Sequence, residues 1–464
     1  VKDDIAYLAN TFNYDITLFD NFKKEKNMST EALADLTVKK AKFIYDIKDE
    51  FINKMKEEEQ LELFSNIEMK LSSVLASMEI EGVRVDTKVL DEMGENINKK
   101  LDELTSEIYN YAGEEFNIQS PKQLGEILFE KLEIPYPKKK KTSYSTAREI
   151  LDKIVDYHPI VEKIIEHRTL NKIYTTYIVG IKNCVKEDGK LHTIYTQTLT
   201  RTGRLSSIEP NLQNIPIRYK EGKEIRKAFI PEENSVFLSS DYSQIELRMF
   251  AHMSGEQNLI DAFKHHLDIH TKTAMDIYHV SKDEVTKNMR RDAKAVNFGI
   301  IYGISSFGLA EDLGVDIKTA KKFLDNYLET FPGIKNYMDK IIKDAYEKGY
   351  VKTIMNRKRN IDELYNTNHM IKVQGERMAL NTPIQGSSAD ILKKAMIDIY
   401  NEFNRLNLKS KMILQVHDEL IFNVKNDELE KVKEIVINFM ENAYKLNVPL
   451  EVDVEIGKNW YDAK

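Results

Sequence analysis

A single cysteine, Cys184, stands among 464 residues, so neither an internal disulfide nor a cysteine-based zinc cluster can form. That usage fits a reducing compartment, and a cytoplasmic location is expected. No run of about 18 apolar residues occurs, and the opening Val1 to Asp4 has no signal-peptide character, which argues against a membrane-spanning or secreted protein. No GxxxxGK[ST] motif is present, so a P-loop motor or kinase has no support. Basic side chains are not in excess either. The count of 68 against 75 acidic leaves a formal net charge of −7, which argues against indiscriminate coating of nucleic acid but leaves room for a local basic surface. The chain does not open on Met and begins in mid-pattern, so an excised fragment or a mature form is expected.

What is present suits two to four packed units: 42% hydrophobic and 31% charged residues over a length too great for one core. From Ser29 to about Tyr111 apolar residues recur at three and four, as in Leu61, Phe64, Ile67, Leu71, Leu75 and Met78, and read as amphipathic helices. Residues 134 to 146, with Pro135, Pro137 and the run Lys138 to Lys141, read as a loop whose lysines are solvated surface or a grip on phosphates. Helical spacing resumes from Thr146 to Ile181, and Leu191 to Leu199 alternates like a strand. A β-type run from Val236 ends in Asp241-Tyr242-Ser243, and Gln244 to Met253 continues as a helix. From Ser281 to about Asn366 the pattern is mostly helical, opened by Ser281 and Glu284 at capping-box spacing. The runs Met412 to Val416 and Leu420 to Val424 flank a tight polar turn, a β-hairpin with Asp418 at its tip.

Asp241 and Asp418, one closing a strand and one at a hairpin tip, are able to meet at the edge of one sheet; taken singly, each reads as a turn or capping residue. Between them lie Arg290, Lys294, Phe298 and Tyr302 at four-residue steps. At ~100° per residue the four drift only ~120° around a helix, so they share a face. An ordinary amphipathic helix gives such a stripe. Cations followed by aromatics also suit a ligand with a triphosphate at one end and a base and sugar at the other. The stretch His265-His266-Leu267-Asp268-Ile269-His270 has the look of a zinc site, but no partner ligands are evident elsewhere.

The residues Asp241 to Arg248, DYSQIELR, resemble motif A of the family A DNA polymerases; Arg290 to Gly303, RRDAKAVNFGIIYG, resembles their motif B, and QVHDE at 415 to 419 their motif C. The three occur in the family's order. TGRLSS at 202 to 207, PNLQNIP at 210 to 216 and TPIQG at 382 to 386 match as well, and MEIEGVRVD at 78 to 86 and SPKQL at 120 to 124 resemble the thumb region. The likeness runs from about residue 62 to 464 and is strongest to the bacterial DNA polymerase I group.

The resemblance implies an α/β right-hand architecture: a remnant of an exonuclease-like domain at 1–61, a helical thumb at 62–190, a palm in two pieces at 191–265 and 372–464, and helical fingers at 266–371. It implies a DNA-directed DNA polymerase of replication or repair, acting as a monomer on primer-template DNA and deoxynucleoside triphosphates. Asp241, Asp418 and the main-chain carbonyl of Tyr242 would ligate two Mg2+ ions, for which Mn2+ substitutes, with Glu419 as an accessory carboxylate. Arg290, Lys294 and His270 would face the triphosphate, and Phe298, Tyr302, Glu246 and Gln244 would line the base and sugar pocket, Glu246 filling the space of a ribose 2′ hydroxyl. Arg204, Asn211, Gln213, Asn214, Arg377, Asn381, Gln385 and His417 match positions that touch primer, template or the new pair.

The likeness fails at Ser29 to Asp35, which lacks the tyrosine-containing motif of proofreading relatives, so no proofreading nuclease is expected. A single-subunit RNA polymerase, a silent DNA-binding module and a phosphohydrolase are the alternatives.

Overall fold

The computed structural model describes residues 4–22, 29–137, 143–217 and 219–464; the lysine run Lys138 to Lys141 lies outside them. At the centre is a four-stranded antiparallel sheet of β1 (Ser235–Tyr242), β2 (Lys411–Val416), β3 (Glu419–Lys425) and β4 (Val452–Gly457), in the order β4-β1-β3-β2. Both faces of β3 are covered, which is why Leu420, Ile421 and Phe422 form an unbroken apolar run. Leu238, Leu420 and Phe422 belong to one core, Phe237, Leu414, Val416 and Ile421 to another.

Among the longer helices are α1 (Thr30–Glu57), α2 (Met69–Glu81), α3 (Thr87–Ala112), α4 (Pro159–Lys172), α5 (Ile245–Ser254), α6 (Ile269–Tyr278), α7 (Lys287–Ile301), α8 (Pro332–Lys348), α9 (His369–Arg405) and α10 (Leu429–Glu441). Helices α2, α9 and α10 carry the first core against the sheet, whereas α3 packs on α4 and contributes to the second. Ser29 caps α1 by accepting from Ala32 N, and Ser281 and Glu284 form the expected capping box, which opens a single 3-10 turn. Helix α9 carries Pro383 in its interior, and Gly386 one turn on leaves no room for a Cβ against Thr202 and Thr353. None of the helices among the described residues is long and apolar enough to cross a membrane.

One local reading needs correction, and a second, mostly helical as expected, is refined. The alternating stretch Leu191 to Leu199 is not one strand: Lys190–Leu191 joins a sheet with Val83–Val85 and Phe229–Ile230, while Ile194–Thr196 pairs with Ser206–Ile208. The break falls where Thr193 turns its hydroxyl onto Ser207 Oγ at 2.6 Å and the Pro210 carbonyl at 2.9 Å. The helical span from Ser281 to Asn366 is interrupted by a hairpin, Tyr350–Lys352 with Lys358–Asn360. Its strands are three residues long and rich in Lys and Arg, too short to show alternation.

Candidate functional site

Asp241 is the penultimate residue of β1 and lies opposite Glu419, the first residue of β3. Asp418 occupies the two-residue turn between β2 and β3 with His417, whose φ of +57° is what so tight a turn demands. The turn is braced from below. Gln415 Nε2 donates to the His417 carbonyl at 2.5 Å, Gln213 Nε2 donates to Gln415 Oε1 at 2.9 Å, and Tyr242 N donates to the Asp418 carbonyl at 3.3 Å. The two aspartates, 177 positions apart in sequence, therefore line one cavity of 340 Å³.

Burial raises the Asp241 carboxyl to about 6; Lys464 pulls it down, but Glu419, Asp418 and Asp453 push it up. Asp418 is raised as well, again by burial first, with the Arg204 guanidinium opposing. An open cavity floored by carboxylates that repel one another is a place where a hard cation relieves unfavourable charge.

The wall of the cavity beside α5 is a hydrogen-bonded chain. Gln244, in the left-handed region at φ +53°, starts α5, and Glu246 follows in its first turn, 5% exposed. Tyr302 donates from its hydroxyl to Glu246 Oε2 at 2.7 Å, and Arg204 Nη2 reaches Glu246 Oε1 at 2.6 Å and Asp418 Oδ1 at 3.6 Å. The Tyr302 hydroxyl is held above its ordinary pKa by burial and by Glu246. The chain Tyr302–Glu246–Arg204–Asp418 ties the wall to the hairpin tip. Arg204 thus bridges two carboxylates, a place its motif did not indicate.

Phe298 also lines this cavity, and Tyr302 follows the last residue of α7 as its cap, 39% exposed. Arg290 and Lys294 are exposed on the same stripe. Arg290 pairs through Nε with Asp268 Oδ2 at 2.6 Å, whose carboxyl falls to about 2 because Arg290 and Thr271 outweigh the upward effect of burial. Lys294 has no ion-pair partner among the described residues. His270 differs from both: it is 4% exposed, its Nδ1 meets Asn297 Nδ2 at 3.1 Å, and burial lowers it to about 4, so it is neutral at physiological pH. Neither it nor the two cations line the carboxylate cavity. Among the described residues no group of three or more His, Cys, Asp or Glu is arranged to hold a metal, and the stretch from His265 to His270 is no exception.

On the far side of the turn a second cavity, of 540 Å³, gathers Arg204, Asn211, Gln213, Asn214, Gln385 and His417. Arg377 and Asn381 precede Gln385 at four-residue steps on α9, two helical turns and one turn away, but are not part of this lining. Gln415 and Arg359 are, and both were missed in the sequence. Gln415 had a signal, since it opens the motif that carries Asp418. Arg359 sits in the short hairpin and donates to Thr382 Oγ1 at 2.7 Å, leaving Nε buried without a partner. A third cleft, of 460 Å³, shares Gln213 and Asn214 and continues past Arg148, Lys172 and Tyr177.

Comparison with known proteins shows the family of the chain. A family model described as DNA polymerase family A matches residues 87–462. The chain is 49% identical over 470 residues to DNA polymerase I of Bacillus caldotenax, covering 100% of this chain and 54% of that protein, and 48% identical over 469 residues to DNA polymerase I of Bacillus subtilis (strain 168), covering 100% and 53%. It spans about half the length of these curated relatives. The polymerase domain of Pol1 from M. smegmatis, solved in complex with DNA primer-template and dNTP, superposes with a TM-score of 0.89 at 38% identity, over 92% of this chain and 76% of that one.

Proposed function

The chain belongs to DNA polymerase family A, and on that premise we propose that it extends the 3′ end of a DNA primer with deoxynucleoside triphosphates, as a monomer, in replication or repair. The observation that carries the proposal is the convergence of Asp241 and Asp418 on one cavity walled by the buried Glu246 and its partner Tyr302. The helical unit of α3 and α4 then serves as the thumb, the central sheet as the palm and helices α6 to α8 as the fingers. The cytoplasm is the expected location.

Two magnesium ions fit the donor set: hard carboxylate oxygens in an open cavity, with Asp241 left under-compensated by its neighbours. Asp241 and Asp418 would hold them with the Tyr242 carbonyl, and the chemistry such ions would supply is Lewis-acid activation of the primer hydroxyl and neutralisation of the pyrophosphate charge. The chain's own part is binding and orientation. Arg290 and Lys294 neutralise the triphosphate, with Arg290 exchanging Asp268 for phosphate. His270, being neutral, serves as a hydrogen-bonding group. Phe298 and Tyr302 flank the base and sugar, Gln244 closes the pocket floor, and Glu246 excludes a 2′ hydroxyl. Arg204, Gln213, Gln385 and His417, with Asn211, Asn214, Arg377 and Asn381, meet the primer, template and nascent pair; amide and guanidinium donors reach minor-groove acceptors that every correct pair presents.

Primer extension tests this directly. Asp241→Ala and Asp418→Ala should each abolish extension while primer-template affinity stays within a few-fold, because phosphate contacts elsewhere supply most of the binding. Extension by either variant at a near wild-type rate overturns the assignment.

A further inference from the structure

Glu419 stands beside Asp241 in the sheet register, is 1% exposed, and has both oxygens taken. Oε1 accepts from Ser239 Oγ at 2.7 Å and from Trp460 Nε1 at 3.3 Å, and Oε2 accepts from Lys464 Nζ at 2.5 Å. The first two donors are built into the core. Ser239 lies in β1, and Trp460 is fully buried, with its ring edge-on to Phe229 at 5.3 Å, the Arg226 guanidinium 4.2 Å over it, and its amide bonded to the Phe229 carbonyl at 3.1 Å. Lys464 differs, being 40% exposed and lining the same cavity as Asp241 and Asp418.

The segment that brings Lys464 there is firmly held. Asn459 and Asp462 exchange two hydrogen bonds of 2.8 Å, Ala463 is buried, and Gly457 has no room for a Cβ against Asp462 and Ala463. Of the charges that bear on Asp241, Lys464 is the positive one among Glu419, Asp418 and Asp453. Arg226, another cation near Glu419, is buried over Trp460, and among the described residues no hydrogen bond joins it to that carboxylate.

We propose that Lys464 is a positioning residue whose ammonium occupies Glu419 Oε2 and thereby keeps that carboxylate from becoming a ligand of the divalent ions. The proposal rests on the two-aspartate reading of the site. Hard divalent cations take up any free carboxylate oxygen within reach, and Oε2, with Lys464 gone, has no other donor among the described residues. A third carboxylate would hold the ion more tightly and draw it toward the interior of the sheet, away from the hairpin tip. The ammonium opposes this twice, by filling the oxygen and by repelling a cation that approaches it. Its removal therefore tightens metal binding and slows the reaction, whereas loss of a merely structural contact leaves metal affinity unchanged or weaker.

The test is Mn2+ binding, read by the electron paramagnetic resonance signal of free Mn2+, to the full chain with primer-template and no nucleotide. Lys464→Met should bind Mn2+ at least about fivefold more tightly than wild type and extend primers more slowly, and Lys464→Arg should restore both. In Lys464→Met/Glu419→Gln the affinity should return to within about twofold of wild type. Unchanged or weaker binding in Lys464→Met, or tightening that persists in the double variant, overturns the proposal. Asp241→Ala serves as the reference: if it binds Mn2+ as wild type does, the two-aspartate reading fails and this inference with it.

Discussion

Glu246 offers the sharpest test of the substrate selection proposed for this pocket. The carboxylate is 5% exposed and shared between the Tyr302 hydroxyl at 2.7 Å and Arg204 Nη2 at 2.6 Å, so both oxygens are engaged before any substrate arrives. A ribose 2′ hydroxyl entering beside it must displace one of these donors or be left without a partner. Either event costs roughly 1–3 kcal/mol, the penalty for a buried polar group that loses its hydrogen bond. That range corresponds to about 5- to 150-fold in rate at ~1.4 kcal/mol per tenfold. Glu246→Ala should therefore raise incorporation of ribonucleotides relative to deoxynucleotides by about 5- to 150-fold. Tyr302→Phe, which keeps the ring and removes the donor, should fall between the two. The assay is single-nucleotide extension with paired ribo and deoxy substrates under single-turnover conditions. An unchanged ratio in Glu246→Ala would refute the reasoning and bring back a polymerase that accepts ribonucleotides.

Three further outcomes are expected. Because burial raises Asp241 to about 6 in the folded state against 3.8 as the ordinary value, its contribution to stability is full below pH 4 and lost as pH rises through 6. Asp241→Asn should thus stabilise the metal-free protein by up to about 3 kcal/mol at pH 7 and by almost nothing at pH 4, and equal effects at both values would contradict the burial argument. Arg204→Ala should both slow deoxynucleotide addition and relax sugar selection, since one guanidinium serves Glu246 and Asp418; a change in only one of the two would show that the bridge has no joint role. Glu68→Ala should lower stability in denaturant titrations by about 3–5 kcal/mol, because it strands the buried Lys393 ammonium while Arg357 keeps Asp390, and a loss below about 1 kcal/mol would mean the pair is dispensable.

The parts of the site that were legible in the sequence are those fixed by neighbours in the chain. Asp241 at a strand end and Asp418 at a hairpin tip follow from apolar runs meeting turn residues, and the stripe from Arg290 to Tyr302 follows from helical spacing, of which Phe298 and Tyr302 line the carboxylate cavity and Arg290 and Lys294 do not. What escaped depends on contacts made across the fold. The bond from Lys393 to Glu68 joins residues 325 positions apart, and that between Lys464 and Glu419 is set by how Trp460 packs on Phe229. The hairpin from Tyr350 to Asn360 escaped for a different reason. Its pairing is held by Thr353 and Arg357, which bond to the buried Asp390 of α9, not by an alternating apolar face.

These long-range pairings also explain why a net charge of −7 is compatible with a site for polyanions. Several acids are already matched inside the protein: at the cavity Glu246 by Arg204 and Glu419 by Lys464, and elsewhere Glu68 and Asp390 by Arg357. Their charge is spent locally and casts little field on the exposed Arg290 and Lys294. Asp241 and Asp418 are the exceptions. The cation that bears on Asp241 is engaged by Glu419, no side chain among the described residues donates to the Asp241 carboxylate, and burial, with the surrounding acids, raises its pKa to about 6. Asp418 is raised by burial too, with only the shared Arg204 guanidinium at 3.6 Å to oppose it, so the two aspartates proposed as ligands are the carboxylates with most to gain from a divalent ion.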